Sequence, residues 1–140
     1  MKQLLFVLLV FNCFNINIFS QGKITTKSNA DQLFGQILVS KQIATSSLES
    51  LTKRSSNVLM FNLLDNNIYV LDNHRNVLLP VGGTVNNSDI FSVYLIAVIQ
   101  ELISKGGSAT TFIERRNEVL TITNGEFTLE WSTLCPPFCY

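Results

Sequence analysis

The segment 117–131 limits the architecture of this chain more than any other. Asn124-Gly125 separates two runs in which apolar and polar residues alternate, with Leu120 and Ile122 before it and Phe127, Leu129 and Trp131 after it. Asn-Gly suits a type I′ turn, because both central residues of that turn need positive φ. A two-residue loop at this point sets Thr123 opposite Glu126, Ile122 opposite Phe127 and Leu120 opposite Leu129. A slip of one residue would carry every apolar side chain to the other face, so the pairing is well specified. The hairpin predicts a sheet with one apolar face and one polar face. The polar face carries Thr121, Thr123, Glu126, Thr128 and Glu130.

The remainder of the chain supplies what this sheet needs to bury its apolar face. Residues 58–64 form an apolar run broken only by Asn62, and turn signals at 65–67 and 72–75 separate it from apolar runs at 68–71 and 76–79. This pattern predicts a three-stranded meander, and 110–131 predicts a second. Two helices are expected. The first starts at Ser28 or Asn29, with Asp31 in its first turn, and carries Leu33, Phe34, Ile37 and Leu38 at helical spacing. Ala44, Leu48 and Leu51 continue the stripe past a weak stretch at 43–47, where a break is expected. The second is capped by Asn87 or Ser88 and runs apolar through 90–99 except for Ser92. Leu102 and Ile103 extend it, and Lys105 precedes a Gly106-Gly107 stop. The order is thus α-βββ-α-βββ, an α+β domain with two helices packed on one face of an antiparallel sheet. Residues 66–73 can be laid over 117–124 in pattern, which points to an internal duplication.

The first twenty residues stand apart. Lys2 precedes the apolar run 4–11, and the segment closes on Ser20. This is the layout of a secretory signal peptide, with cleavage expected after Ser20. An uncleaved anchor is the rival reading, but Asn12, Asn15 and Asn17 interrupt the run well short of the roughly 20 residues that span a bilayer. A lipidated Cys13 is another, although Val10-Phe11-Asn12 ahead of it are bulky. Export implies a secreted or periplasmic protein, with a domain at 21–134 and a short tail at 135–140. The segment 89–105 is too short for a membrane span and contains Glu101.

Charge and reactive residues narrow the function. Without residues 1–20, nine Lys and Arg stand against ten Asp and Glu. A nucleic-acid partner would favour a basic surface, which this balance does not provide. His74 is the only histidine, and it sits in a polar turn with no Gly-x-Ser-x-Gly elbow anywhere in the chain. Glu114, Glu118, Glu126 and Glu130 read as solvent-facing or turn residues, so no acid and base pair emerges. No catalytic residue, metal site or cofactor is expected. Asn86-Asn87-Ser88 is a formal glycosylation sequon, relevant only in a eukaryotic host.

Cys135 and Cys139 flank Pro136-Pro137-Phe138. In an oxidising compartment a disulfide between them is the favoured reading. An extended proline segment at about 3.1 Å per residue would hold them roughly 12 Å apart, whereas a bridge needs Cα atoms within about 7 Å. The bridge therefore requires a sharp turn, for which a cis proline is one route. The alternatives are a Cu(I)-binding thiol pair, redox exchange and pairing with another chain. The leading expectation is a small exported, non-catalytic domain that recognises a protein or ligand through an open sheet face, with an unknown protein or envelope component as partner. A thiol-dependent protein and a structural subunit of an envelope assembly are the competing classes.

Overall fold

The computed structural model describes residues 22–117, 119–130 and 132–136. Residues 1–20, Glu118, Trp131 and Cys139 lie outside them, and with them the expected signal peptide and one half of the expected disulfide. The described chain is α+β, with three helices and two antiparallel five-stranded sheets. The elements in order are β1 (Lys23–Thr26), α1 (Lys27–Phe34), β2 (Val39–Ala44), α2 (Thr45–Thr52), β3 (Val58–Leu64), β4 (Asn67–Leu71), β5 (Val77–Leu79), β6 (Phe91–Leu95), α3 (Ile96–Gly106), β7 (Thr110–Arg116), β8 (Val119–Asn124), β9 (Phe127–Glu130) and β10 (Thr133–Cys135). The first sheet runs β1-β9-β8-β7-β2 and the second β10-β6-β3-β4-β5. Among the described residues no helix is long and apolar enough to cross a membrane.

Both meanders form where the sequence predicts them. Asp65 and Asn66, each at positive φ, make the two-residue loop between β3 and β4. The β8–β9 hairpin keeps its expected faces but moves its loop by one residue. Asn124 pairs with Phe127, Thr123 with Thr128 and Ile122 with Leu129, leaving Gly125-Glu126 as the loop. Because each pairing shifts by two, the apolar residues stay together. The loop moves because Asn124 is wholly buried and its side chain is bonded to the start of α2 and to β7.

The single sheet with two helices is corrected in two places. The expected second helix divides at Leu95. Phe91–Leu95 is a strand between β3 and β10, and helix α3 begins only at Ile96. A strand buried on both faces and a helix buried all round show the same continuous apolar run, and Tyr94, Val93 and Phe91 favour the strand. Asn86 and Asp89 instead close a turn ahead of β6 on each other's backbone and side chain. The expected first helix becomes α1, a strand and α2. Thr26 caps α1 through its Oγ1, and Gly35 at φ 78° ends it. Residues 39–44 then alternate in exposure along the edge of the first sheet.

The strand–helix pairs exchange partners between the sheets. β2 lies in the first sheet, and α2 leads from it to β3 in the second. β6 lies in the second sheet, and α3 leads from it to β7 in the first. The junctions match closely. Ala44 pairs with Thr110 and the Thr45 N–H donates to the Ala109 carbonyl at 2.9 Å; Leu95 pairs with Val58 and the Ile96 N–H donates to the Asn57 carbonyl at 2.9 Å.

One core joins the two sheets and the two crossover helices. It comprises Leu59, Phe61, Leu63 and Val70 from the second sheet, Ile113, Leu120, Ile122 and Leu129 from the first, and Leu48, Leu51, Ile99 and Leu102 from α2 and α3. Burying a side chain of this size contributes about 1.5–3 kcal/mol, so the fold rests chiefly on this cluster. The Tyr94 hydroxyl crosses the core and donates to the Leu120 carbonyl. A smaller cluster of Val58, Met60, Leu71, Phe91, Val93 and Cys135 covers the other face of the second sheet.

Candidate functional site

The residues expected on an open sheet face do cluster, but away from water. Thr121, Thr123, Thr128 and Glu130 are all buried, and only Glu126, in the β8–β9 loop, is exposed. Helix α1 connects one edge strand of the first sheet to the other and is tied to this face. Its Asp31 carboxylate and the Gly35 carbonyl both take hydrogen bonds from Nη1 of Arg116. The Lys27 N–H donates to the Glu126 carbonyl at 2.9 Å, and Asn117 Nδ2 to the Phe34 carbonyl at 3.1 Å.

Beneath α1, Glu114, Arg116, Thr121, Thr123 and Thr128 bond one another. Thr123 Oγ1 donates to Glu114 Oε2 at 2.7 Å and lies 2.9 Å from Thr128 Oγ1. Arg116 reaches Thr121 Oγ1 from Nε at 3.4 Å and Glu114 Oε2 from Nη2 at 3.4 Å. Glu114, read from sequence as solvent-facing, is therefore a buried partner of Arg116. Strand alternation separates polar from apolar residues, but it does not say whether the polar set meets water or itself. The available signal was Glu114 and Arg116 on one face of β7, alongside the threonines of β8.

A second polar centre involves the turn after β4. Asp72 accepts from the N–H groups of His74 and Asn76 at 2.8 Å each, and from Asn76 Nδ2 at 2.8 Å. Burial pushes the Asp72 carboxyl up, but the bonds from Asn76 and His74 outweigh it and hold the group below its ordinary value of 3.8. His74 bonds Asn73 on the surface, and no described acid or nucleophile contacts its ring. Arg75 extends from the same turn to the tail. It stacks 5.3 Å above the Phe91 ring, donates to the Asn86 and Asp89 carbonyls, and approaches Cys135 Sγ at 3.2 Å. Cys135 is wholly buried, and its bond to Pro136 is cis. Among the described residues no group of three or more His, Cys, Asp and Glu is placed to hold a metal ion.

The first open site with defined chemistry is a groove of about 330 Å³ where the two sheets meet. Asn62, Ile90, Ser92, Arg115, Asn117 and Leu134 line it. Arg115 is the neighbour of buried Arg116, and alternation along β7 sends the two guanidiniums to opposite faces. Nη2 of Arg115 donates to Asn62 Oδ1 at 2.7 Å and to the Leu63 carbonyl at 2.8 Å. Asn62 Nδ2 in turn donates to the Ile90 carbonyl at 2.7 Å. The guanidinium is thus held in place, and among the described residues no carboxylate lies within 4.0 Å of it. Ile90 and Leu134 are 52% and 46% exposed on either side.

Two other depressions lack this combination. One between α2 and α3 has both Lys53 and Glu49 among its lining residues. One beside β2 offers Lys41, for which no hydrogen bond to a described group fixes the ammonium. The chain matches no protein-family model, and no curated protein or solved structure shows significant similarity to it.

Proposed function

We propose that this chain is a small exported recognition domain without catalytic machinery, and that its binding surface is the Arg115 groove. The observation that carries this reading is a positioned cation lacking a carboxylate partner among the described residues, flanked by exposed Ile90 and Leu134. Binding sites of this kind combine apolar contact area with a few fixed polar groups. The polar face under α1 is set aside as the contact surface, because Thr121, Thr123, Thr128 and Glu130 are all buried there. Export and secreted or periplasmic location rest on residues 1–20, and the Cys135–Cys139 bridge belongs to that setting.

The matching junctions at Thr45 and Ile96 support an internal duplication. The pairings equate Leu64 with Arg116 and Asn67 with Val119, one residue beyond the alignment that pattern alone suggests. A thiol function gains no support from the geometry, since Cys135 is wholly buried and reactive thiols are solvent-accessible.

The test is capture of binding partners from the native envelope or medium by the mature chain and by two variants, Arg115→Gln and Leu134→Asp. The reading requires that a partner captured by the parent be lost with both variants while Glu126→Gln retains it. Retention by both groove variants would refute it.

A further inference from the structure

We infer that the Arg115 groove takes the carboxylate of a small apolar monoanion. This inference rests on the groove being the binding surface, and it names the chemical class that the surface selects. A guanidinium has five N–H donors and no acceptor. Both donors of Nη2 are committed to Asn62 Oδ1 and the Leu63 carbonyl. The donors of Nη1 and Nε make no bond to a described residue and remain for a ligand.

The environment decides which ligand they suit. The described lining brings no acid to the guanidinium, so among the described residues an anion entering the groove meets no opposing negative charge. A charge-assisted bond from a fixed guanidinium is roughly twice as strong as a neutral one, and holding it in advance reduces the cost of ordering on binding. The flanks are not suited to a densely charged ion. Ile90 and Leu134 offer hydrocarbon, and Asn62, Ser92 and Asn117 are neutral. One Arg115 guanidinium beside aliphatic side chains complements one carboxylate on an aliphatic or aromatic body. A phosphate or a polycarboxylate would leave charge without a partner there.

The probes are octanoate, its neutral counterpart 1-octanol and its cationic counterpart octylamine, each titrated into the mature chain with backbone amide resonances as the readout. The expected result is saturable movement of the Ser92, Arg115 and Leu134 resonances with octanoate. Binding of octanol and octylamine should be at least tenfold weaker. Arg115→Gln should weaken octanoate at least tenfold. Leu134→Asp, which leaves the Arg115 bonds in place, should do the same, so that a folding defect in one variant does not decide the matter. Equal binding of octanol or octylamine, resonance changes centred elsewhere, or no saturable binding would overturn the inference. If octanoate fails while partner capture still depends on Arg115 and Leu134, the ligand class is wrong and the groove stands. If both fail, the groove is not the binding surface.

Discussion

Gly106 and Gly107 are adjacent in the sequence and both read as a helix stop, but the structure gives them different work, and alanine substitution should separate them. Gly107 has φ 63° and donates its N–H to the Ile103 carbonyl, with no atom within 4 Å of where a Cβ would stand. Alanine there carries only the left-handed backbone cost of about 1 kcal/mol. Gly106 is seated against the β8–β9 turn. A Cβ on it would lie 2.7 Å from the Asn124 carbonyl carbon and nearer still to the carbonyl oxygen and Oδ1. Ordinary contact begins near 3.4 Å, so either the helix or the turn must retreat.

That retreat pulls on Asn124. Its Oδ1 accepts from the Ser108 N–H at 2.9 Å, and its Nδ2 donates to Thr111 Oγ1 at 2.9 Å and Thr45 Oγ1 at 3.1 Å. Overpacking costs about 1–3 kcal/mol, and weakening a buried hydrogen bond adds about 1 kcal/mol. The helix propensity gained by alanine offsets up to about 1 kcal/mol. Gly106→Ala should therefore destabilise by about 1–4 kcal/mol and Gly107→Ala by about 1 kcal/mol. Urea unfolding of the mature chain measures both, as midpoint shifts at constant slope. If Gly106→Ala costs no more than Gly107→Ala, the close approach of α3 to this turn is wrong.

Three further outcomes follow from buried polar groups. Arg116→Met should cost about 3–5 kcal/mol in urea unfolding, because it leaves the buried Glu114 carboxylate without its cation, and Glu114→Gln in the same background should recover part of that loss. Asp72→Asn should be less stable than the parent at neutral pH by about 1 kcal/mol. Because the folded-state pKa of Asp72 lies below 3.8, its stabilisation is present above that value and is lost as pH falls through the folded one; the gap to the parent should narrow in acid unfolding curves below about pH 4. Tyr94→Phe should cost about 1–3 kcal/mol by removing the donor to the Leu120 carbonyl. Burial pushes the Tyr94 phenol up, and the charge of Glu130 adds to this against a hydrogen bond with Ser132. Above pH 10 the unfolded chain therefore loses the proton while the folded chain keeps it, so parent stability should fall with rising pH and this component should be absent in the variant.

The sequence disclosed local order better than partnership. Asp65-Asn66 and the alternation through 119–130 located two meanders because each depends on neighbours in the chain. The run 90–103 misled because Phe91–Leu95 is covered on both faces, which removes the alternation that marks a strand. β2 was obscured by Lys41 and Gln42, which suit an edge strand but are also good helix formers. The polar residues of the second meander were correctly placed on one face, and their exposure was not legible. That depended on α1 crossing from β1 to β2, a long-range event on which periodicity is silent. Arg115 and Arg116 could be sent to opposite faces by counting, but only the fold reveals which one meets solvent.

The reciprocal lending of β2 and β6 has a consequence for how the molecule comes together. A nascent chain ending before residue 91 holds the β3-β4-β5 ribbon but neither β6 nor β10, and β1 and β2 have none of their own partners. Neither layer can close on local sequence, so productive nucleation requires contacts between distant segments, the topology that folds slowly. Amino-terminal fragments ending there should therefore gain no stable tertiary structure beyond that ribbon, and the complete chain should fold slowly for its size.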